Sequence, residues 1–356
     1  MSTRVFRGSV GSLDALSLED VEEFLDSVTP KPDDVPAVQP PIIVQFRNPD
    51  EPVTWQTTPI EMKIEIVKFL DHRSRQSLRR ASRSDKLLVD ATKFHVTSFV
   101  IKATVLPNFI FISTLPKNFV FRSYSTQELP HRFIKAVKIP NLRIERLEID
   151  QGAIVDLTEQ LKQTKKKITI RTELFHLQGS PTYPVGILVV DFLEFLDVKD
   201  VLIDGQCPPM IFELMIELEQ WKNARSVTFN HFNDLPIDPF LHVNILRLSL
   251  EEIAIDDARK VIKVFVSKKT QQPGKISFYI KTRESFDFWK VLDHTDYEMS
   301  QKLAIPGEAL PRVQVFIMPN SDGLVFPVMA KEKLICGCAC KMDDNLVENF
   351  KEALDL

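Results

Sequence analysis

Glycine is scarce in this sequence, 10 in 356 residues, against a usual share of about 7%. Phosphate-cradling loops need glycine so that backbone can approach the ligand, and neither GxGxxG nor GxxxxGK[ST] occurs. Cysteine is limited to 4 positions, too few for a disulfide framework in a chain of this length. No apolar run approaches the roughly 18 to 20 residues that cross a bilayer, and the N-terminal stretch lacks the continuous apolar core of a secretory signal. Those features lead us to expect an intracellular protein, with nucleus and cytoplasm both open and no membrane partner. The net charge is only −4, which gives no global reason to expect nucleic acid. Tyrosine numbers 4 against 25 phenylalanines, pointing to a dry aromatic core with few phenol hydroxyls to satisfy.

Catalytic patterns are missing as well. HExxH, GxSxG and a cysteine with an evident histidine partner are not found, and the seven histidines are scattered. We therefore expect no enzyme, no catalytic residue and no cofactor. The sharpest local cluster is Cys336-Gly-Cys-Ala-Cys340. In a strand its three cysteines share one face, either as small buried side chains or as thiolates for a metal or redox role. Structural zinc favours two residues between cysteines and needs a fourth ligand, for which only Cys207 and His294 are at all suitable, so no metal site is expected.

What is present changes character along the chain. Residues 1–52 hold ten acidic against four basic residues and seven prolines, an acidic, proline-rich tail expected to be disordered. Within it, Ser17 to Asp20 resembles a helix start, followed by Val21, Phe24, Leu25 and Val28 on one face, either a docking peptide or a frayed segment. Residues 53–100 read as a helical module. Thr58 is placed to cap, Pro59 at the first-turn position, and Glu61 to complement the helix dipole. At 100° per residue Ile60, Ile64 and Val67 form one apolar stripe, and Met62, Ile66, Phe69 and Leu70 another. A surface helix with one contact needs an apolar arc of about 100°, so this helix is expected to be buried on two sides. A second segment follows, with Leu78, Ala81, Leu87, Leu88 and Val89 on its apolar side. Arg73, Arg75, Arg79, Arg80, Arg83 and Lys86 make its outer side, a solvated face or, less simply, a phosphate-tracking one.

From 101 to 290 strand and helix patterns alternate. Strands are expected at 142–149, 167–171, 200–203, 224–229, 243–250 and 275–281. Helices are expected at 153–161, 186–196, 209–221 and 256–268. Strand starts lie roughly 20 to 30 residues apart, the period of a leucine-rich type of repeat without its strict leucine and asparagine ladder. Residues 291–356 read as a strand-rich cap on the same body, with strands at 313–318, 324–329 and 333–341, a turn at 319–323 and a closing helix at 343–354. The fold class expected is thus mixed α/β, a small helical module followed by a degenerate leucine-rich-repeat-like strand–helix body.

The segment Thr58–Asp90 resembles an F-box. The residues that carry the likeness are Pro59-Ile60-Glu61, apolar Ile64, Ile66 and Val67, Leu70-Asp71, Leu78-Arg79, Ser82-Arg83 and Leu87 to Asp90. Their order is similar to that in the nematode-expanded F-box proteins carrying an FTH domain, and the body after residue 100 is compatible with the FTH region. Thr58 stands where the family usually has leucine, and a late tryptophan of the family is replaced in the region of Asp85-Lys86. The resemblance implies a module that docks on the Skp-type adaptor of cullin–RING ubiquitin ligases, with Pro59, Ile60, Ile66, Leu70 and Leu78 forming or supporting the docking face. The helical wheel adds Met62. The body would then hold an unknown protein target. The alternative is a stand-alone interaction scaffold, distinguished by whether the Met62–Ile66–Leu70 stripe is covered by the chain's own body.

Overall fold

The computed structural model describes residues 54–70, 72–103, 109–114, 117–122, 128–139, 141–164, 168–179, 184–292, 312–318 and 323–341. The tail at 1–52 with its helix start, the turn at 319–322 and the expected helix at 343–354 lie outside the described residues. The chain divides into two compact units, one formed by residues 1–94 with 131–142, the other by residues 95–130 with 143–356.

The first unit contains helices α1 (Ile60–Phe69), α2 (His72–Ala81) and α3 (Arg83–Ala91). Pro59 is the N-cap of α1 and not its first helical residue. Thr58 does not cap; its hydroxyl donates to the Thr54 carbonyl at 2.8 Å. The second segment is two helices, because Ser82 interrupts it in an extended conformation and caps α3. Ser82 Oγ accepts from the Asp85 backbone N–H at 3.0 Å and donates to Asp85 Oδ2 at 2.7 Å, a reciprocal cap. Trp55 Nε1 donates to the other carboxylate oxygen at 2.8 Å. The Ser82 and Trp55 hydrogen bonds hold the Asp85 carboxyl below the usual carboxylate range. The core of the unit is Val67, Leu88 and Val89, with Trp55, Ile64, Leu70 and Leu78 against it.

Arg75 departs from the solvated face expected of it. It is 4% exposed, because its guanidinium reaches the carbonyls of Leu70, Thr92 and Lys93 at 3.3, 3.4 and 3.0 Å. It also lies 5.0 Å from the centre of the Phe94 ring. Those carbonyls follow the ends of α1 and α3, where helices leave acceptors without partners. Burial lowers the Arg75 pKa to about 10, so it stays charged at neutral pH. Arg75→Met keeps the stem but strands three acceptors, and should destabilise this unit by about 2 to 4 kcal/mol. Faster amide hydrogen exchange confined to α1–α3 is the expected reading; unchanged protection there would refute the capping role. Asn141, in the left-handed region at φ 57°, returns its own chain segment to the helices by donating to the Asp90 carbonyl at 2.8 Å.

The second unit is built on one sheet. Its strands are β1 (Phe94–Lys102), β2 (Phe109–Thr114), β3 (Lys117–Arg122), β4 (Leu142–Asp150), β5 (Ile170–Gln178), β6 (Leu196–Asp204), β7 (Ser226–Asn233), β8 (Ile245–Leu250), β9 (Ser277–Thr282), β10 (Arg312–Ile317), β11 (Leu324–Lys331), β12 (Leu334–Cys338) and β13 (Cys340–Lys341). The spatial order is β10-β11-β12-β9-β8-β7-β6-β5-β4-β1-β2-β3, with β13 also on β11. Strands β4 to β9 are parallel and consecutive; β12 joins β9 antiparallel on one side, and on the other β1 lies beside β4 and begins the antiparallel run β1–β2–β3. The expected cap strands therefore extend this same sheet.

The crossovers carry α5 (Gln151–Gln163), α6 (Leu188–Leu193), α7 (Pro209–Ile216), α8 (Glu219–Lys222) and α9 (Ile255–Ser267). Alternation along each strand sends every second side chain to the helices. Phe175, Val201, Val227, Leu246 and Phe278 form one cross-strand row, and all five are buried. Phe192 of α6 stacks on Phe175 at 5.7 Å, and Phe265 of α9 meets Phe278 edge-on at 5.3 Å. Two residues further along β7, on the same side, Phe229 joins Phe212, Trp221 and Phe240. The described helices thus cover one face of the parallel strands, as crossovers of one hand require when each strand is added beside the last in the same direction.

Two helices are shorter than expected. The segment at 186–196 yields only α6, because Leu196 is already in β6, and 209–221 breaks at Leu218 into α7 and α8. Strand β1 corrects the end of the module expected to be helical up to residue 100, since the chain is extended from Phe94, and the β2–β3 hairpin and helix α4 (Glu128–Val137) fill a stretch where no element was expected.

Candidate functional site

Helix α1 presents two different faces. Val67 is fully buried, and Ile64 and Leu70 pack beside it. Met62, Ile66 and Phe69, on the other side, are 57%, 42% and 82% exposed. Ile60 is exposed too, as is Pro59 ahead of the helix. Leu78 of α2 packs inward with Leu70. Of the six residues named from the sequence, four therefore lie at the surface, and Leu70 and Leu78 support it from beneath.

Leu87 and Ala81 were expected on the inner side of the second segment, yet both are exposed. The cap at Ser82 re-phases α3 so that Asp85, Leu88 and Val89 face inward, and Leu87 is left outside. Among the described residues of the first unit five large apolar side chains are exposed, Ile60, Met62, Ile66, Phe69 and Leu87, and three of them, Met62, Ile66 and Phe69, share one side of α1 at helical spacing. Scattered single apolar residues on a surface are ordinary, whereas several together mark a contact surface.

In the second unit the face of the parallel strands away from the helices has its own order. The row next to Phe175 runs Glu148, His176, Leu202, Thr228, Arg247, Tyr279 and Cys336 across seven strands. Towards β10 it is apolar: Val313, Met329, Cys336, Cys338 and Cys340 are buried together with Tyr279 and Leu334 against them. Cys338 and Cys340 bring their sulfurs to 3.1 Å. Burial pushes the Cys336 thiol up to about 12, and the Cys340 thiol and burial push Cys338 up further, so both are protonated and poor nucleophiles at neutral pH. Among the described residues no group of three or more histidines, cysteines or carboxylates is placed to hold a metal ion. His294 lies outside them.

Towards β4 the same face is polar and connected. Arg146 Nε donates to Glu148 Oε2 at 3.1 Å, and its Nη2 lies 2.9 Å from the same oxygen in an ion pair. An Nη of Arg146 is 2.9 Å from His176 Nδ1, and His176 Nε2 is 2.6 Å from Asp204 Oδ2. Gln178 donates to Glu148 and Asn230 donates to Asp204, while Lys102 Nζ stands 3.9 Å from Glu148 Oε1. Burial raises the Asp204 pKa, but hydrogen bonds from His176 and Asn230 outweigh it and hold the carboxyl below its usual range. Nearer the strand starts, charges pair across strands, Lys199 with Glu173 at 2.9 Å, Arg171 with Asp197 at 4.0 Å, and Arg225 with Asp200. The face thus offers a connected pattern of paired charges across the strands. No local sequence motif announces this network, because its members come from separate strands.

No helix among the described residues is long and apolar enough to cross a membrane. No curated protein and no solved structure matches the chain. One family model does: residues 189–295, from α6 through β6–β9 to the short helix α10 (Phe288–Leu292), match the FTH domain.

Proposed function

We propose that this protein is a target-recognition subunit of a cullin–RING ubiquitin ligase, its helical module docking on a Skp-type adaptor and its body binding a protein target. The observation that carries this reading is the exposed apolar side of α1 formed by Met62, Ile66 and Phe69, in the segment whose residue pattern resembles an F-box. Docking would bury it, and each large aliphatic side chain so buried contributes about 1.5 to 3 kcal/mol. The FTH match supports the same reading, since FTH domains are linked to F-box proteins. We read the consecutive parallel strands and their one-sided helices as a repeat of leucine-rich type, with the face away from the described helices as the target surface. Such a subunit transfers nothing itself; it raises the effective concentration of target lysines at the ligase.

Co-expression with a Skp-type adaptor tests the docking. The unaltered chain should co-purify with it, and Ile66→Asp, which sets a charge in the apolar surface, should weaken the complex by roughly 100-fold or more. The circular dichroism of the mutant should be unchanged, because Ile66 makes no part of the inner core. Failure of the unaltered chain to bind would sink the adaptor role and leave the stand-alone scaffold.

A further inference from the structure

The exposed apolar side of α1 has a counterpart elsewhere in the same chain. Met62, Ile66 and Phe69 stand open on a unit of strongly basic character: residues 54–94 with 131–142 hold twelve lysines and arginines against five acids. Arg80, Arg83 and Lys93 are among its exposed cations. The acids nearest the stripe are Glu61 and Glu65 of α1, and Glu65 is engaged by Lys68 at 2.5 Å. Residues 17–28, which lie outside the described residues, carry five acids and no base. At 100° per residue Val21, Phe24, Leu25 and Val28 fall on one side, and Glu19, Glu23 and Asp26 fall opposite them. The two stripes also agree in length. Val21 to Val28 and Met62 to Phe69 each cover seven helical steps, about 10 Å along an axis.

We propose that residues 17–28 dock as an amphipathic helix on this side of α1, setting Phe24 and Leu25 over Met62, Ile66 and Phe69. A helix of about twelve residues is marginal alone in water, so the segment gains its order from the surface that it covers. Its acids face mainly outward from the contact. Their part is long-range attraction to the basic unit, which brings the segment in, while the apolar stripes hold it. The 25 residues from Thr29 to Val53 reach at most roughly 80 Å, so the tether allows the contact. Joined in one chain, the two stripes meet at an effective concentration on the order of millimolar. The same segment on a second copy acts only at the protein's own concentration, which favours the contact within one chain. On the reading of this surface as the adaptor's site, the segment is a built-in competitor. It covers the residues that docking would bury, so an adaptor must displace it and binds more weakly than to an open surface.

Oxidation of Met62 by hydrogen peroxide, read by mass spectrometry of the full chain, tests the contact without any adaptor. Met210, 73% exposed in the second unit, is the internal reference, since peroxide converts accessible methionine to sulfoxide. Relative to Met210, Met62 should be oxidised several-fold more slowly in the unaltered chain than in a double variant, Phe24→Asp with Leu25→Asp. The protection should be unchanged by tenfold dilution. Equal rates in the two chains would overturn the proposal, whether Met62 is open in both or covered by something else in both. Protection that fades on dilution would assign the surface to a second copy instead. Adaptor affinity is measured separately, and the double variant should bind a Skp-type adaptor several-fold more tightly. If neither chain binds while Met62 is protected, the adaptor role falls and the contact stands. If both bind equally, the adaptor role stands and the competition is refuted.

Discussion

Phe212→Ala is expected to destabilise the second unit by about 3 to 5 kcal/mol, the usual cost of emptying a fully packed aromatic site. The ring lies 5.1 Å from Phe240, 5.5 Å from Trp221 and 6.4 Å from Phe229. Those partners also touch each other, so the cluster is closed on itself. Its members come from α7, α8, β7 and the short 3-10 turn Asp238–Phe240, and each is tied to its own backbone element. Trp221 is further fixed by donation from Nε1 to the Pro239 carbonyl at 3.2 Å. Such a cluster cannot collapse into the space left by one ring, which places the cost high in the range. Urea unfolding followed by Trp221 fluorescence should show the midpoint falling with little change in slope. A loss under about 1 kcal/mol would mean that the site relaxes freely, against the close packing described here.

Gly179→Ala should be nearly as damaging although it adds only one methyl group. A Cβ at this position would stand 1.7 Å from the Asp204 carbonyl oxygen, and 2.9 and 3.2 Å from the next backbone atoms, Asp204 C and Gly205 Cα. The obstacle is backbone, so no side chain can rotate away, and the ends of β5 and β6 must part. We expect a loss of about 3 kcal/mol or more, seen as a fall in melting temperature of roughly 6 to 12 °C. Gly186→Ala is the control. Nothing lies within 4 Å of its Cβ position, so its effect should stay within about 0.5 kcal/mol. Equal melting of the two variants would refute the close approach at Gly179.

Much of the strand–helix alternation was legible because burial on one face leaves a period in the sequence. Leu142 to Ile149 alternates apolar and charged residues, and becomes β4. Asp256 to Lys268 repeats at helical spacing, and becomes α9. The segment 186–196 was misread at its end because both its helix and the start of β6 are buried. A continuous apolar run carries no period to separate them. The break at Leu218 has no glycine or proline within it to announce it. Arg75 looked like its arginine neighbours since its acceptors at Thr92 and Lys93 are 17 and 18 residues away.

For the candidate docking surface the wheel set Ile64 and Val67 apart from Met62, Ile66 and Phe69, but it grouped Ile60 with the inner stripe and Leu70 with the outer one, and the structure has Ile60 exposed and Leu70 packed inside. It placed Leu87 on the wrong side because the interruption at Ser82 shifts the phase of α3, and a cap within a helical pattern is easily taken for a helix interior. The polar network on the face away from the described helices was not legible at all. Glu148, His176 and Asp204 are each 28 residues from the next, so no short motif contains two of them. Only the parallel register of the sheet brings them together.

That register also sets what a fragment of this protein can do. The FTH-matched segment contains β6 to β9, four strands from the interior of a longer sheet. In the whole chain β5 pairs with one side of this block and β12 with the other. Cut out at residues 189 and 295, the block would carry two unpaired hydrogen-bonding rims, each a template for another strand. The part of the sequence most readily matched to a family is thus a window onto the sheet, and self-association is the fate to design against in any attempt to produce it alone.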